Sequence, residues 1–270
     1  MPARACLIID DDPIAATWLL ELLRARGHVA VLSGSLAQAE SQLSDGEFAR
    51  IIVDRRLPDG DGLEWLQQRS QALPRPVLLT SGDELSGAEM PDGVVFLRKP
   101  VDQDSLLQWL EADNIAGASP IPEHPAPAQA AELAILSDEP ALTRLGGRIQ
   151  TLQSLRLMLL KELQTAQGWI SMLQQPQALP ASLGQLHRLS AACALTGCVR
   201  LGRISSELES ALRAGHDLGD ARQRHLETTL AQTLSALEHS TSASVSAADH
   251  PGRAQTATAR SPDLLESGLG

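Results

Sequence analysis

Along the first hundred residues, short apolar runs alternate with longer segments of helical period. The runs occupy residues 6–9, 29–32, 51–53, 77–79 and 94–97. Each is short, rich in β-branched side chains and uninterrupted by polar positions, which predicts strands buried on both faces and therefore parallel. The intervening segments are amphipathic; residues 14–26, for example, put Trp18, Leu19, Leu22 and Leu23 on one stripe. This alternation predicts an α/β domain with a five-stranded, doubly wound parallel sheet covered on both faces. Such sheets bind ligands outside the carboxyl ends of their strands.

Further along, the period is helical throughout residues 137–237, with breaks at Gly146 and Gly147, at 176–180 and at 215–219. Ser137 is placed to cap a first short helix, followed by Asp138, Glu139 and Pro140 in its first turn. Leu152, Leu155, Leu159 and Leu163 share one stripe of a long second helix that continues to Trp169 and Leu173, and residues 181–194, 199–214 and 221–238 supply three more. Short connections between long amphipathic helices predict antiparallel neighbours, hence an all-α four-helix bundle with a short leading helix.

Composition sets the boundaries. The α/β domain spans 1–115. Residues 116–131 carry Pro120, Pro122, Pro125 and Pro127 among alanines and read as an extended, semi-stiff linker. The bundle spans 132–240, and the Ser/Ala/Thr-rich residues 241–270 are expected to be disordered. The chain has 22 Lys/Arg against 33 Asp/Glu, a net charge of −11, most of it on the first domain. That balance predicts no nucleic-acid partner, because backbone binding needs a basic face. No apolar stretch is long enough to span a bilayer and no signal peptide is evident, so no membrane insertion and a cytoplasmic location are expected. Three cysteines make no disulfide framework and read as buried thiols.

Four of the five strand ends carry Asp10 and Asp11, Asp54, Thr80 and Lys99. Three converging carboxylates repel one another unless a hard divalent cation sits among them, and Mg²⁺ suits a few carboxylates plus phosphate oxygens. Only Lys99 and Lys161 are lysines in this chain, so a lysine at the last strand end is a placed positive charge, suited to a phosphoryl group held between it and the acids. Asp12, before Pro13, reads as a helix cap, Asp59 and Asp61 as turn formers, and Arg55 as a solvated charge.

The strings LIIDDDP at 7–13, IIVDRRLPDGDG at 51–62, LLTSG at 78–82 and FLRKP at 96–100 resemble, in order and spacing, the receiver domain of two-component response regulators. The resemblance implies a flavodoxin-like fold and assigns Asp54 as the phosphoacceptor. It implies Mg²⁺ held by Asp10, Asp11, Asp54 and the Arg56 backbone carbonyl, with Thr80 and Lys99 on the phosphoryl oxygens. It makes Thr80 and Phe96 the switch pair, and it implies no other cofactor. Between Thr80 and Lys99 the glycines and Pro91 predict a short or frayed fourth helix.

In the bundle, Leu183, Leu186, Leu189 and Cys193 define a buried stripe, and His187 lies at its border between the small residues Gly184 and Ala191. The string LHRLSAACALTGCVRLGRISSELE at 186–209 resembles the histidine phosphotransfer (HPt) domain, which would make His187 a phosphohistidine. The chain departs from that family at Ser190 and Ala191, where Lys and Gly are usual; Arg200 and Arg203 are candidates to replace the cation, whereas Arg188 points to another face. The other histidines read as surface residues.

The resemblances imply a phosphorelay signalling protein rather than an enzyme acting on a separate substrate, since the receiver catalyses only its own phosphorylation and dephosphorylation. The implied partners are a sensor histidine kinase and the receiver of another response regulator. The alternative is a receiver-switched interaction protein whose degenerate, unphosphorylated bundle restrains a kinase or regulator. The sequence shows no ATP-binding motif, which disfavours a histidine kinase.

Overall fold

The computed structural model describes residues 5–69, 72–82, 90–111, 134–173, 179–216 and 218–248. The first part runs β1 (Ala5–Ile9), α1 (Pro13–Ala25), β2 (Ala30–Ser33), α2 (Leu36–Asp45), β3 (Phe48–Asp54), β4 (Arg56–Leu57), β5 (Gly60–Asp61), α3 (Gly62–Arg69), β6 (Val77–Ser81), β7 (Val94–Arg98) and α4 (Gln103–Glu111). All five long strands are parallel, in the order β2-β1-β3-β6-β7. This is the flavodoxin-like doubly wound sheet, and its order reverses between β1 and β3. Alternation along the strands divides the core. Leu7, Ile9, Ile51, Val53, Val77 and Leu79 pack under α2 and α3, while Cys6, Ile8, Ile52, Leu78 and Leu97 pack under α1 and α4. Trp18 and Trp109 anchor the second layer and Trp65 the first. The short or frayed fourth helix expected between Thr80 and Lys99 and the linker expected at 116–131 fall on or across residues 83–89 and 112–133, outside the described residues.

The second part is helical: α5 (Asp138–Arg144), α6 (Ile149–Ile170), α7 (Leu179–Thr196), α8 (Val199–Arg213) and α9 (Gly219–Ala248). α7 packs on α6 and α8, and α9 on α6 and α8. The interior is lined by the Leu152, Leu155, Leu159 and Leu163 stripe, Leu186, Leu201, Leu226 and Leu237, all fully buried. Two expectations need correction. Ser137 stands at the N-cap of α5 but makes no side-chain cap bond; its backbone N–H donates instead to Gly197 O at 2.8 Å. Gly197, at φ 74°, lies so close to the Ser137 carbonyl that a Cβ there would collide with it. The short helix is pinned by the buried Arg156, which donates to Asp138 at 2.6 Å and to Thr196 O at 2.9 Å. Disorder from 241 is also overturned in part, because α9 continues to Ala248. Extending an existing helix through Ser and Ala needs no new nucleus, so the scarcity of large apolar residues does not end it.

The two parts are packed together. The buried cluster under α1 and α4 runs on without interruption into the helical interior, and α1 packs against both α6 and α7. At the edges of this junction Thr151 donates to Glu21 at 3.0 Å, and Gly146 lies against the Gln103 amide, where a Cβ would collide. Among the described residues no helix is long and apolar enough to cross a membrane.

Candidate functional site

The pocket lies at the carboxyl ends of β1, β3, β6 and β7. β1 delivers Asp10 and, just beyond it, Asp11; β3 ends on Asp54; β6 carries Thr80, in register with Asp54; and β7 is followed by Lys99. Asp10, Asp54 and Thr80 are buried. Lys99 Nζ lies 2.9 Å from Asp10 Oδ2 and 2.9 Å from Asp54 Oδ2, and its backbone N–H donates to Ser81 O at 2.7 Å. The Lys99–Pro100 bond is cis. Asp10 Oδ1 accepts from the Asp12 N–H at 3.0 Å. Gly62, at the start of α3, lies so close to the Asp54 carbonyl that a Cβ would overlap it, so a side chain there would displace the residue carrying the central carboxylate.

Carboxylate oxygens of Asp10, Asp11 and Asp54 come within 4.8 Å of one another, and Asp54 Oδ1 is buried without a partner. This donor set is all hard oxygen, fits a divalent cation such as Mg²⁺, and leaves one carboxylate oxygen to take it. Burial raises the Asp54 carboxyl to about 6, against the opposing pull of Lys99. Burial also disfavours the Lys99 cation, but the Asp10 and Asp54 carboxylates outweigh it and hold the ammonium charged. Thr80 Oγ1 donates to Val53 O at 3.4 Å, a long bond that leaves the hydroxyl easily redirected. Arg56 sits half-buried in β4, two residues beyond Asp54, and Phe96 sits half-buried on β7. Phe96 packs against the layer formed by α2 and α3.

Asp12 caps α1 as its position predicts, accepting from the Ile14 N–H at 2.9 Å. Its other oxygen is buried without a partner, and burial, then the Asp10 charge, pushes its carboxyl up to about 7. A folded pKa above the unfolded value means stability that is full below about pH 4 and lost as pH rises through 7. Asp12→Asn keeps the cap acceptor and removes the titration. Urea unfolding without magnesium should find this variant more stable than wild type at pH 8, by on the order of 2 kcal/mol, with the difference vanishing near pH 4.

Asp59 and Asp61 do more than turn the chain. Asp59 accepts from the Leu36 and Ala37 N–H groups at 3.0 and 2.8 Å and so caps α2 from a distance; Asp61 caps α3 through the Leu63 N–H at 2.8 Å. Arg55 is not simply solvated, because its Nε pairs with Asp61 at 3.1 Å.

His187, on α7, lies at the rim of this pocket rather than in open solvent, and its side chain is only 11% exposed. Its ring rests on the backbone of Gly82, just past β6: a Cβ at 82 would come within 2.5 Å of His187 Cε1 and 3.4 Å of Nε2. Nδ1 faces Glu209 Oε1 at 3.2 Å, and Nε2 is buried without a partner. Burial raises the Glu209 carboxyl, but the His187 hydrogen bond and Arg213 together hold it below its usual range. Arg188 differs most from expectation. Although the helix turns it about 100° from His187, it too faces the α/β part, and its guanidinium pairs with Asp11 Oδ2. Of the two candidate replacements for the usual cation, Arg200 donates to Gln232 at 3.3 Å and Arg203 pairs with Glu207. Arg188 beside it in sequence and Arg213, through Glu209, bring positive charge to the side of the site that carries His187. Gly82, Arg188 and Arg213 carried no signal of these roles in the sequence beyond residue type.

Residues 6–111 match the response regulator receiver domain. The chain is 31% identical over 147 residues to the transcriptional regulatory protein ZraR of Klebsiella oxytoca, covering 52% of this chain and 32% of that protein. It is 38% identical over 74 residues to the sensor protein TorS of Escherichia coli, covering 27% of this chain and 8% of the sensor. Among solved structures, a response regulator receiver domain from Methylobacillus flagellatus is 28% identical, with a TM-score of 0.36, over 40% of this chain and 97% of that one. The chain spans a minor share of the length of these curated relatives.

Proposed function

We propose that this chain, which carries a two-component receiver domain over residues 6–111, is a phosphorelay protein whose helical part works as an HPt-like bundle. Asp54 accepts a phosphoryl group from a phosphohistidine, and His187 relays phosphoryl groups to or from receiver aspartates. The observation that carries this reading is that His187 Nε2 is buried and unpartnered beside Gly82, at the rim of the pocket in which Asp54 Oδ1 is also buried and unpartnered.

The chemistry is positioning and charge neutralisation around a loose phosphoryl transition state. Asp54 supplies the attacking carboxylate oxygen. Lys99, already bridging Asp10 and Asp54, moves onto the phosphoryl oxygens with little reorganisation. The Thr80 hydroxyl is weakly held and free to turn toward them. A divalent cation bound by Asp10, Asp11, Asp54 and the Arg56 carbonyl would supply the remaining neutralising charge. On the other side Glu209 keeps the proton on Nδ1, so the Nε2 lone pair is the one available to phosphorus.

The partners proposed are a sensor histidine kinase and a receiver of another regulator, in the cytoplasm and without nucleic acid. The chain is not proposed as an enzyme on any separate substrate. A second reading, a receiver-switched interaction protein with an unphosphorylated bundle, draws on Ser190, Ala191 and the Arg188–Asp11 pair, which would serve as a clasp rather than as part of a transfer site.

The full chain should be incubated with labelled acetyl phosphate and magnesium, and its phosphopeptides mapped. The relay predicts base-labile label at Asp54 and base-stable, acid-labile label at His187. Label at Asp54 alone would favour the interaction protein.

A further inference from the structure

We propose that the receiver served by His187 is the one in its own chain, so that Asp54 and His187 exchange a phosphoryl group in cis across the α1, α6 and α7 junction. This inference rests on the relay reading and adds to it the identity of the partner.

Four independent contacts hold the two parts in the register that exchange needs. The imidazole lies on the Gly82 backbone, two residues beyond Thr80, at a separation that no side chain at 82 would permit. Next to it Arg188 takes Asp11 of the same pocket. Farther out, Thr151 binds Glu21 and Gly146 seats Gln103. Beneath these the apolar core is continuous, with Trp18, Leu19 and Leu22 of α1 in one buried cluster with Leu155, Leu159 and Leu189. A surface made only to meet passing receivers would be left open, whereas here the face bearing His187 is already covered by the chain's own pocket.

The departures at Ser190 and Ala191 fit the same account. Replacing Lys and Gly there weakens the grip on a free receiver. A tethered one stands at an effective concentration on the order of millimolar, so the loss matters little. The cation that remains, Arg188, is aimed at a carboxylate of the attached pocket.

The step balances without a further reactant. As the Nε2 lone pair forms the N–P bond, the Asp54 Oδ–P bond breaks and its electrons stay on the carboxylate; Nδ1 keeps its proton, on the Glu209 side. The reverse step returns the pair to nitrogen.

The test compares wild-type chain with an equimolar mixture of Asp54→Ala and His187→Ala chains, all full length, given labelled acetyl phosphate and magnesium. Conversion of base-labile to base-stable label is followed over a wide range of protein concentration. In cis the wild-type conversion is first order with a rate constant independent of protein concentration, and at micromolar protein the mixture is slower by about a hundredfold or more. An apparent rate constant that rises in proportion to protein concentration, with the mixture matching wild type, would overturn the cis pairing while leaving the relay standing. Base-labile label that never converts, in wild type or mixture, would remove the relay reading and the cis pairing with it.

Discussion

Replacing Lys99 with methionine is expected to slow phosphorylation of Asp54 by acetyl phosphate by about a hundred- to a thousandfold. The substitution keeps most of the aliphatic volume and removes only the charge. Lys99 Nζ lies 2.9 Å from both Asp10 and Asp54, and all three side chains are almost fully buried. Without the ammonium the pocket offers one fewer fixed positive group to the phosphoryl oxygens in the transition state, and losing one such group commonly costs about two to three orders of magnitude. The same change leaves two buried carboxylates facing each other without their cation, a loss of about 3–5 kcal/mol of stability when both are ionised. Asp54 is already raised to about 6 by burial, and the variant should raise it further, so protonation relieves the strain in acid. Urea unfolding in the absence of magnesium should therefore show a larger deficit at pH 8 than at pH 5. An equal deficit at both would mean that the charge of Lys99 is not what holds the acids together.

Gly82→Leu is expected to reduce the fraction of Asp54-bound label converted to His187-bound label by about a hundredfold. Any Cβ at 82 meets the His187 ring at 2.5 Å, and leucine adds a branched side chain that cannot withdraw along the strand. The imidazole must move by more than an ångström or the helical part must lift from the pocket, and a misplacement of that size costs about two orders of magnitude in a positioned reaction. Gly82→Ala should have an intermediate effect, since a rotation of the imidazole can absorb one methyl group. Measuring base-stable label per mole of base-labile label separates this effect from any change in acceptor phosphorylation. Conversion at the wild-type rate in Gly82→Leu would show that the observed contact is not the one used for transfer.

How much of this was readable from the sequence depends on where each property originates. The five long strands were legible because both faces of the sheet are covered, which makes each strand a short, wholly apolar run with no competing helical period. β3 still begins at Phe48, earlier than its apolar run, because Arg50 interrupts the run while pairing with Cys6, and the ladder resumes beyond a bulge at Ala49 with Phe48 beside Ala5. The pocket was legible because its residues sit at strand ends, where the topology forces convergence. Asp59 was read only as a turn residue because its partners, Leu36 and Ala37, lie more than twenty positions away on another element. The junction was the least legible. On a wheel of α7 alone, His187 and Arg188 point to different sides of a surface; both meet the receiver because that partner is broad enough to span the angle between them. No local pattern in residues 179–196 encodes that partner. Gly82 likewise looked like loop punctuation until the ring of His187 was placed against it. At the other end, α9 ran on through the Ser- and Ala-rich residues 241–248 because helix continuation is cooperative and does not need an apolar stripe at every turn.

The central claim is that Asp54 and His187 are the two ends of one phosphoryl exchange. It is tested most directly by loading the wild-type chain with label at Asp54, removing the donor, and quenching at successive times into acid and into base. The account predicts that base-labile phosphate at Asp54 falls as base-stable phosphate at His187 rises, with their sum conserved until hydrolysis sets in. Decay of the Asp54 label straight to inorganic phosphate, with none passing through His187, would contradict it.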